Sequence, residues 1–133
     1  MWFVASIGPA LAVSPALRYA AAAVLVAAGL AFDLLGLLAF RASQTTINPL
    51  KPQRASALVT GSVYRITRNP MYVGMCILLS AWAVYLTALL PFAGPVIFVL
   101  YITRFQIQPE ERVLSHLFGE QYAEYTTRVR RWL

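Results

Sequence analysis

The chain has 133 residues, of which 59% are hydrophobic and only 12% charged, with a net charge of +6 and a pI of about 10.0. A soluble domain carries about twice that charged fraction, so a soluble core is excluded, and the length suits a single membrane-embedded domain, residues 1–133. One cysteine, Cys76, and one histidine, His116, exclude a disulfide framework and any thiolate or histidine-cluster metal site, while arginines at span ends follow the positive-inside rule and do not call for nucleic acid as a partner.

Residues 1–13, MWFVASIGPALAV, are apolar but shorter than the roughly 20 residues that cross a bilayer. They lack the basic start and small-residue cleavage site of a signal peptide. They read either as an interfacial segment or as the last turns of a helix truncated at its start. Residues 17–40 form the first complete span, rich in alanine, leucine and valine and bracketed by Arg18 and Arg41. Asp33 lies inside it. An ionisable residue at that depth is costly, so it either serves a function or sits near the interface with a polar partner.

Residues 41–68 carry Arg41, Lys51, Arg54, Arg65 and Arg68 and no acid, which places this loop in the cytoplasm. TTINPLKPQ should be extended by its prolines. ALVTGSVYRITRNP interleaves apolar residues with turn formers and reads as an ordered, packed loop. Residues 71–90 make a second span, PFAGP turns the chain, and residues 95–107 return it. That return is short for a bilayer unless it runs on past Arg104.

Residues 109–133 open with proline and two acids, a helix start. Leu114, Leu117 and Phe118 give an apolar face and Gly119 interrupts it. Tyr122, Tyr125, Val129 and Trp132 recur at helical spacing beside Arg128, Arg130 and Arg131, as in a helix lying on a membrane surface. The expected fold is all-α. It is a polytopic membrane protein with about three complete transmembrane helices, a short or truncated N-terminal helix and C-terminal amphipathic interfacial helices.

No glycine-rich phosphate loop and no serine, cysteine or histidine nucleophile set is present. The polar residues gather instead on one membrane face. TRNPMY alone can be a turn, a helix start and a headgroup anchor; PEER alone can be acids meeting a helix dipole.

Together, LVTGSVYRITRNPMYVG and EERVLSHLFGEQYAEYTTRV resemble, from about residue 58 to 129, the isoprenylcysteine carboxyl methyltransferases and their bacterial relatives, whose architecture the phospholipid methyltransferases share. The patterns matched are LVT-x-x-VY-x-x-x-RHP-x-Y-x-G and EE-x-x-L-x-x-x-FG-x-x-Y-x-x-Y-x-x-x-V. The resemblance implies a membrane enzyme that uses S-adenosylmethionine at the cytosolic face. It implicates Ser56, Ala57, Leu58, Val59, Tyr64, Asn69, Pro70, Met71, Tyr72 and Glu111 in holding that cofactor, and Glu110 as the essential glutamate near the reacting groups. Arg104 is the other expected catalytic residue, a candidate with Arg68 to hold the acceptor carboxylate, and Arg68, Gln106 and Arg112 are expected at the substrate. No metal is implied.

The chain departs from the pattern at Asn69, where the family has histidine, at Ser56, and at Gln106, where the eukaryotic enzymes have an arginine tied to substrate binding. The acceptor is therefore open.

Methyl transfer from a sulfonium to a carboxylate destroys two opposite charges, which suits a dry pocket and needs no general base. The expected acceptor is a lipophilic, prenylcysteine-like or lipidated carboxylate entering from the membrane lipids. An amine acceptor, as in phospholipid methylation, is the nearest alternative and would use Glu110 or Glu111 as base. A small transporter or adaptor is the alternative outside methyl transfer. The short, alanine-rich form suggests a bacterial inner membrane.

Overall fold

The computed structural model describes residues 1–43 and 56–133. The extended TTINPLKPQ segment, Lys51 and Arg54 lie outside the described residues. Among those described the chain is mostly helical and forms no β-strand, only two isolated bridges.

Helix α1, Trp2–Ala5, is followed by an extended stretch that crosses the far end of the molecule. The Leu11 amide donates to the Thr87 carbonyl at 2.7 Å and the Leu89 amide to the Pro9 carbonyl at 3.2 Å. These bonds strap residues 9–11 across residues 87–89.

Helix α2, Pro15–Ala42, starts where Ser14 accepts from the Leu17 amide and Pro15 presets the first turn. It ends where the Ser43 hydroxyl donates to the Ala39 carbonyl. Helix α3, Pro70–Leu86, ends at Thr87 in the left-handed conformation. The two helices pack through glycine. A Cβ on Gly29 would meet Leu78 and the Gly74 carbonyl, and one on Gly74 would meet the Asp33 carboxylate and the Gly29 carbonyl. Removing side chains here lets the backbones touch, the usual device between helices in lipid. Asp33 thus lies where α2 and α3 pack, over Gly74, with its Oδ1 buried and without a hydrogen-bond partner among the described residues.

A 3-10 turn, Leu90–Phe92, leads into α4, Ala93–Ile102. The helix does run on past Arg104, through a π-turn at Thr103–Ile107 into α5, Gln108–Arg128. Pro109 explains the π-turn. It has no amide to give the Phe105 carbonyl and its ring crowds that oxygen, so the ladder opens to i→i+5 spacing, and the Gln108 amide bonds the Thr103 carbonyl.

Two helical stretches, Pro15–Ala42 and Leu90–Arg128, are long and apolar enough to cross a membrane, and Pro70–Leu86 is a shorter apolar helix. Only 17% and 11% of the two long apolar stretches is buried, unlike the core helices of a soluble protein. Helix α5 bends at Gly119, whose φ of 48° and ψ of −121° suit only glycine. The bend returns Tyr122, Tyr125 and Val129 against Leu58, Leu114 and Phe118.

Candidate functional site

The site is assembled at the N-terminal mouth of α3. Before it, a 3-10 turn at Ser62–Arg65 buries Val63 and Tyr64. Val59, Val63 and Tyr64 pack on Ala39, with the Tyr64 ring edge-on to Phe40 at 5.4 Å. The Tyr125 hydroxyl donates to the Tyr64 carbonyl at 2.7 Å, fastening this loop to α5. The Tyr64 hydroxyl is held well above its usual pKa, first by burial and then by Tyr125, Glu110 and Tyr72 nearby.

The two sequence motifs meet here. The Tyr72 hydroxyl donates to Glu110 Oε1 at 3.1 Å, and Gln106 Nε2 donates to the same oxygen at 2.8 Å. Glu110 is half-buried and held by two neutral donors. Its neighbour Glu111 is held by charge. Arg131 gives it two bonds of 3.0 and 2.7 Å, and Arg68 Nη1 lies 3.2 Å from it. These bonds from Glu111 raise the pKa of Arg131. Arg68 also donates to the Tyr122 hydroxyl at 3.4 Å, while its buried Nε has no partner among the described residues.

On the Glu111 side the chain frames an open concavity of about 600 Å³, with Arg68, Glu111, Arg112, Tyr122 and Arg131 in its wall; Tyr64, Tyr72 and Glu110 do not line it. Asn69 is half-buried and donates from Nδ2 to the Arg131 carbonyl at 2.8 Å. Pro70 is buried and Met71 lies against α2 at Gly36. Leu58 is half-buried on the Tyr122–Tyr125 cluster, Ala57 is half-buried, and Ser56 is exposed where the described loop resumes.

Arg104 is not drawn toward the acids. It is exposed, its guanidinium lies 5.8 Å over the Phe105 ring, and among the described residues it makes no ion pair.

Sequence reasoning missed Arg131, Trp132, Thr67 and Thr103. Their signal was hidden because the tail reads as surface cations, whereas its backbone folds back onto the span mouth. The Arg68 amide donates to the Arg130 carbonyl at 2.9 Å, and the Thr67 hydroxyl to the Arg131 carbonyl at 3.2 Å. Among the described residues no group of three or more histidine, cysteine or acidic side chains is placed to hold a metal.

Residues 17–121 match the family model for phospholipid methyltransferase. The chain is 43% identical over 63 residues to an uncharacterized protein of Haemophilus influenzae, covering 47% of this chain and all of that one. It is 35% identical over 92 residues to protein-S-isoprenylcysteine O-methyltransferase B of Arabidopsis thaliana, covering 65% of this chain and 44% of that protein. The match thus spans less than half the length of the plant enzyme. No solved structure matches the chain. The family model covers most of the chain, including the first motif and the start of the second, with Tyr72 and Glu110 both inside the match, and the chain belongs to the phospholipid methyltransferase family, which includes the isoprenylcysteine carboxyl methyltransferases.

Proposed function

We propose that this protein is an S-adenosylmethionine-dependent methyltransferase that methylates the carboxylate of a lipophilic, prenylcysteine-like acceptor at the cytosolic face of a bacterial inner membrane. The observation that carries the reading is the 3.1 Å contact between Tyr72 and Glu110, which joins the two family motifs at one site. The whole chain then acts as one domain. Three spans, α2, α3 and the α4 run, present their arginine-rich ends to the cytoplasm, and α5 lies at the interface.

The donor set suits the cofactor, which carries an ammonium, a carboxylate and ribose hydroxyls. The concavity offers arginine for carboxylate, Glu111 for ammonium or hydroxyl, and Arg68 Nε, without a partner among the described residues, as a spare donor. S-adenosylmethionine would supply a methyl group on a sulfonium. Tyr64, Asn69 and Tyr72 bound its side of the site, with Pro70, Met71 and residues 56–59 shaping the wall. Glu110 orients the reacting groups. Arg68 and Arg112 hold the acceptor carboxylate, and Gln106 fixes Glu110 in place of the arginine found in eukaryotic relatives. Bringing the opposite charges of sulfonium and carboxylate together in one orientation lowers the barrier mainly by positioning.

An amine acceptor is the second reading, favoured by the family model's description and by the neutral donors around Glu110. A carboxylate so held is available to take the proton that amine methylation releases.

The test incubates purified protein with methyl-labelled cofactor and prenylated, acylated and amine-headed acceptors. Base-labile label on a prenylated carboxylate is expected, and label on an amine headgroup supports the second reading. No labelled acceptor together with no cofactor binding overturns both.

A further inference from the structure

The last residues of the chain fold back across the mouth of α3, and three of their groups reach three different parts of the site. The Arg130 and Arg131 carbonyls accept from the Arg68 amide, the Thr67 hydroxyl and Asn69 Nδ2. Residues Thr67 and Arg130 form a parallel bridge. The Arg131 guanidinium takes both oxygens of Glu111, on the first turn of α5. Trp132 Nε1 donates to the Thr103 hydroxyl at 3.1 Å.

Thr103 is the head of the π-turn. Its carbonyl accepts the i→i+5 bond from the Gln108 amide while its hydroxyl accepts from Trp132. Gln106, within the same turn, donates to Glu110 just beyond it. A π-turn holds one more residue per turn than the ladder around it, so its closure sets the rotation of everything that follows. Proline at 109 opens the turn from its far end, and the Trp132 bond meets its first residue.

We infer that the C-terminal strap, residues 130–132, is a positioning element of the methyl-transfer site, and that Trp132 fixes the aim of Glu110 through Thr103 and the π-turn. Its kinetic consequence rests on the methyltransferase reading; its structural consequence does not. Trp132 does not line the concavity and its side-chain bond goes to Thr103, so it is a positioning residue, not a catalytic one.

The test uses the full chain in detergent micelles and reads backbone hydrogen exchange over residues 103–110 by mass spectrometry. Trp132→Phe keeps a ring and loses the donor; Thr103→Val loses the acceptor; Thr103→Ser restores it. Exchange in this segment is expected to quicken about tenfold in Trp132→Phe and Thr103→Val, to stay slow in Thr103→Ser, and to be unchanged over residues 71–78 of α3. Where methyl transfer is measured, kcat falls about tenfold with KM for the cofactor within about twofold, and the Trp132→Phe, Thr103→Val double variant is no slower than either single one.

Wild-type exchange in Trp132→Phe overturns the inference. So does faster exchange throughout the chain, or a Thr103→Ser variant that behaves like Thr103→Val. A wild-type protein that transfers no methyl group overturns the methyltransferase reading alone, and the exchange comparison then decides the strap.

Discussion

Glu110 and Glu111 are adjacent in sequence and lead different lives. Two neutral donors, Tyr72 and Gln106, share one oxygen of Glu110, whereas Glu111 is divided between two arginines. The first arrangement leaves a carboxylate free to meet a cationic or protic partner. The second neutralises one and fastens α5 to the span mouth and to the tail. Glu110→Gln should therefore lower methyl transfer about a hundredfold while the melting temperature holds, measured by initial rate and thermal unfolding in detergent. Glu111→Gln should do the reverse in kind. It leaves two partly buried guanidiniums without their countercharge and should cost about 2 kcal/mol of stability, read from denaturant unfolding.

The motif pattern separated these two acids only by likeness to a family. The environment of Glu111 depends on Arg131, which no local pattern marks, because the two lie twenty residues apart in the chain.

At the scale of elements, glycine and proline do the shaping. Gly74 and Gly29 let α2 and α3 meet backbone to backbone, with the Asp33 carboxylate lying over Gly74. Gly74→Ala places a methyl group on that carboxylate and on the Gly29 carbonyl, and should destabilise the helix pair by about 1–3 kcal/mol. Pro109 holds the π-turn open. Pro109→Ala returns an amide to the Phe105 carbonyl, so the turn should tighten to an ordinary α-helix and turn Glu110 away from Tyr72. Helix content by circular dichroism should hold while methyl transfer falls at least tenfold.

Much of this level was legible. The helices expected at residues 17–40 and 71–90 fall within a few residues of Pro15–Ala42 and Pro70–Leu86, and Gly119 marks the bend. The π-turn was not legible, since Thr103–Ile107 keeps a helical composition and only the missing amide at Pro109 betrays it. The return of the tail was hidden for a different reason. Tyr122, Tyr125, Val129 and Trp132 keep a helical spacing, yet the helix stops at Arg128, and Val129 is extended.

For the whole molecule, both ends are dressed for an interface. Opposite the site, Trp82 stacks on Tyr85 at 5.3 Å and the Arg18 guanidinium lies 4.6 Å over Tyr19 and 5.4 Å over Tyr85. At the site end lie Arg41, Arg65, Arg68 and the arginines of the tail. Aromatic residues and arginines at the two ends of apolar helices mark where headgroups begin. In a Cys76→Ser background, single cysteines at Ser43 and Glu120 should be labelled by an impermeant maleimide only from the cytoplasmic side, and one at Ser6 only from the opposite side.

The claim beneath all of this is that two stretches far apart in sequence form one reaction centre, with Tyr72 and Glu110 as its junction. A double-mutant cycle on methyl transfer with Tyr72→Phe, Glu110→Gln and the pair tests it most directly. Coupling predicts that the pair is scarcely slower than Glu110→Gln alone, a departure from additivity of at least about 1 kcal/mol. Losses that simply multiply would mean that the two residues work apart, and would contradict a shared centre.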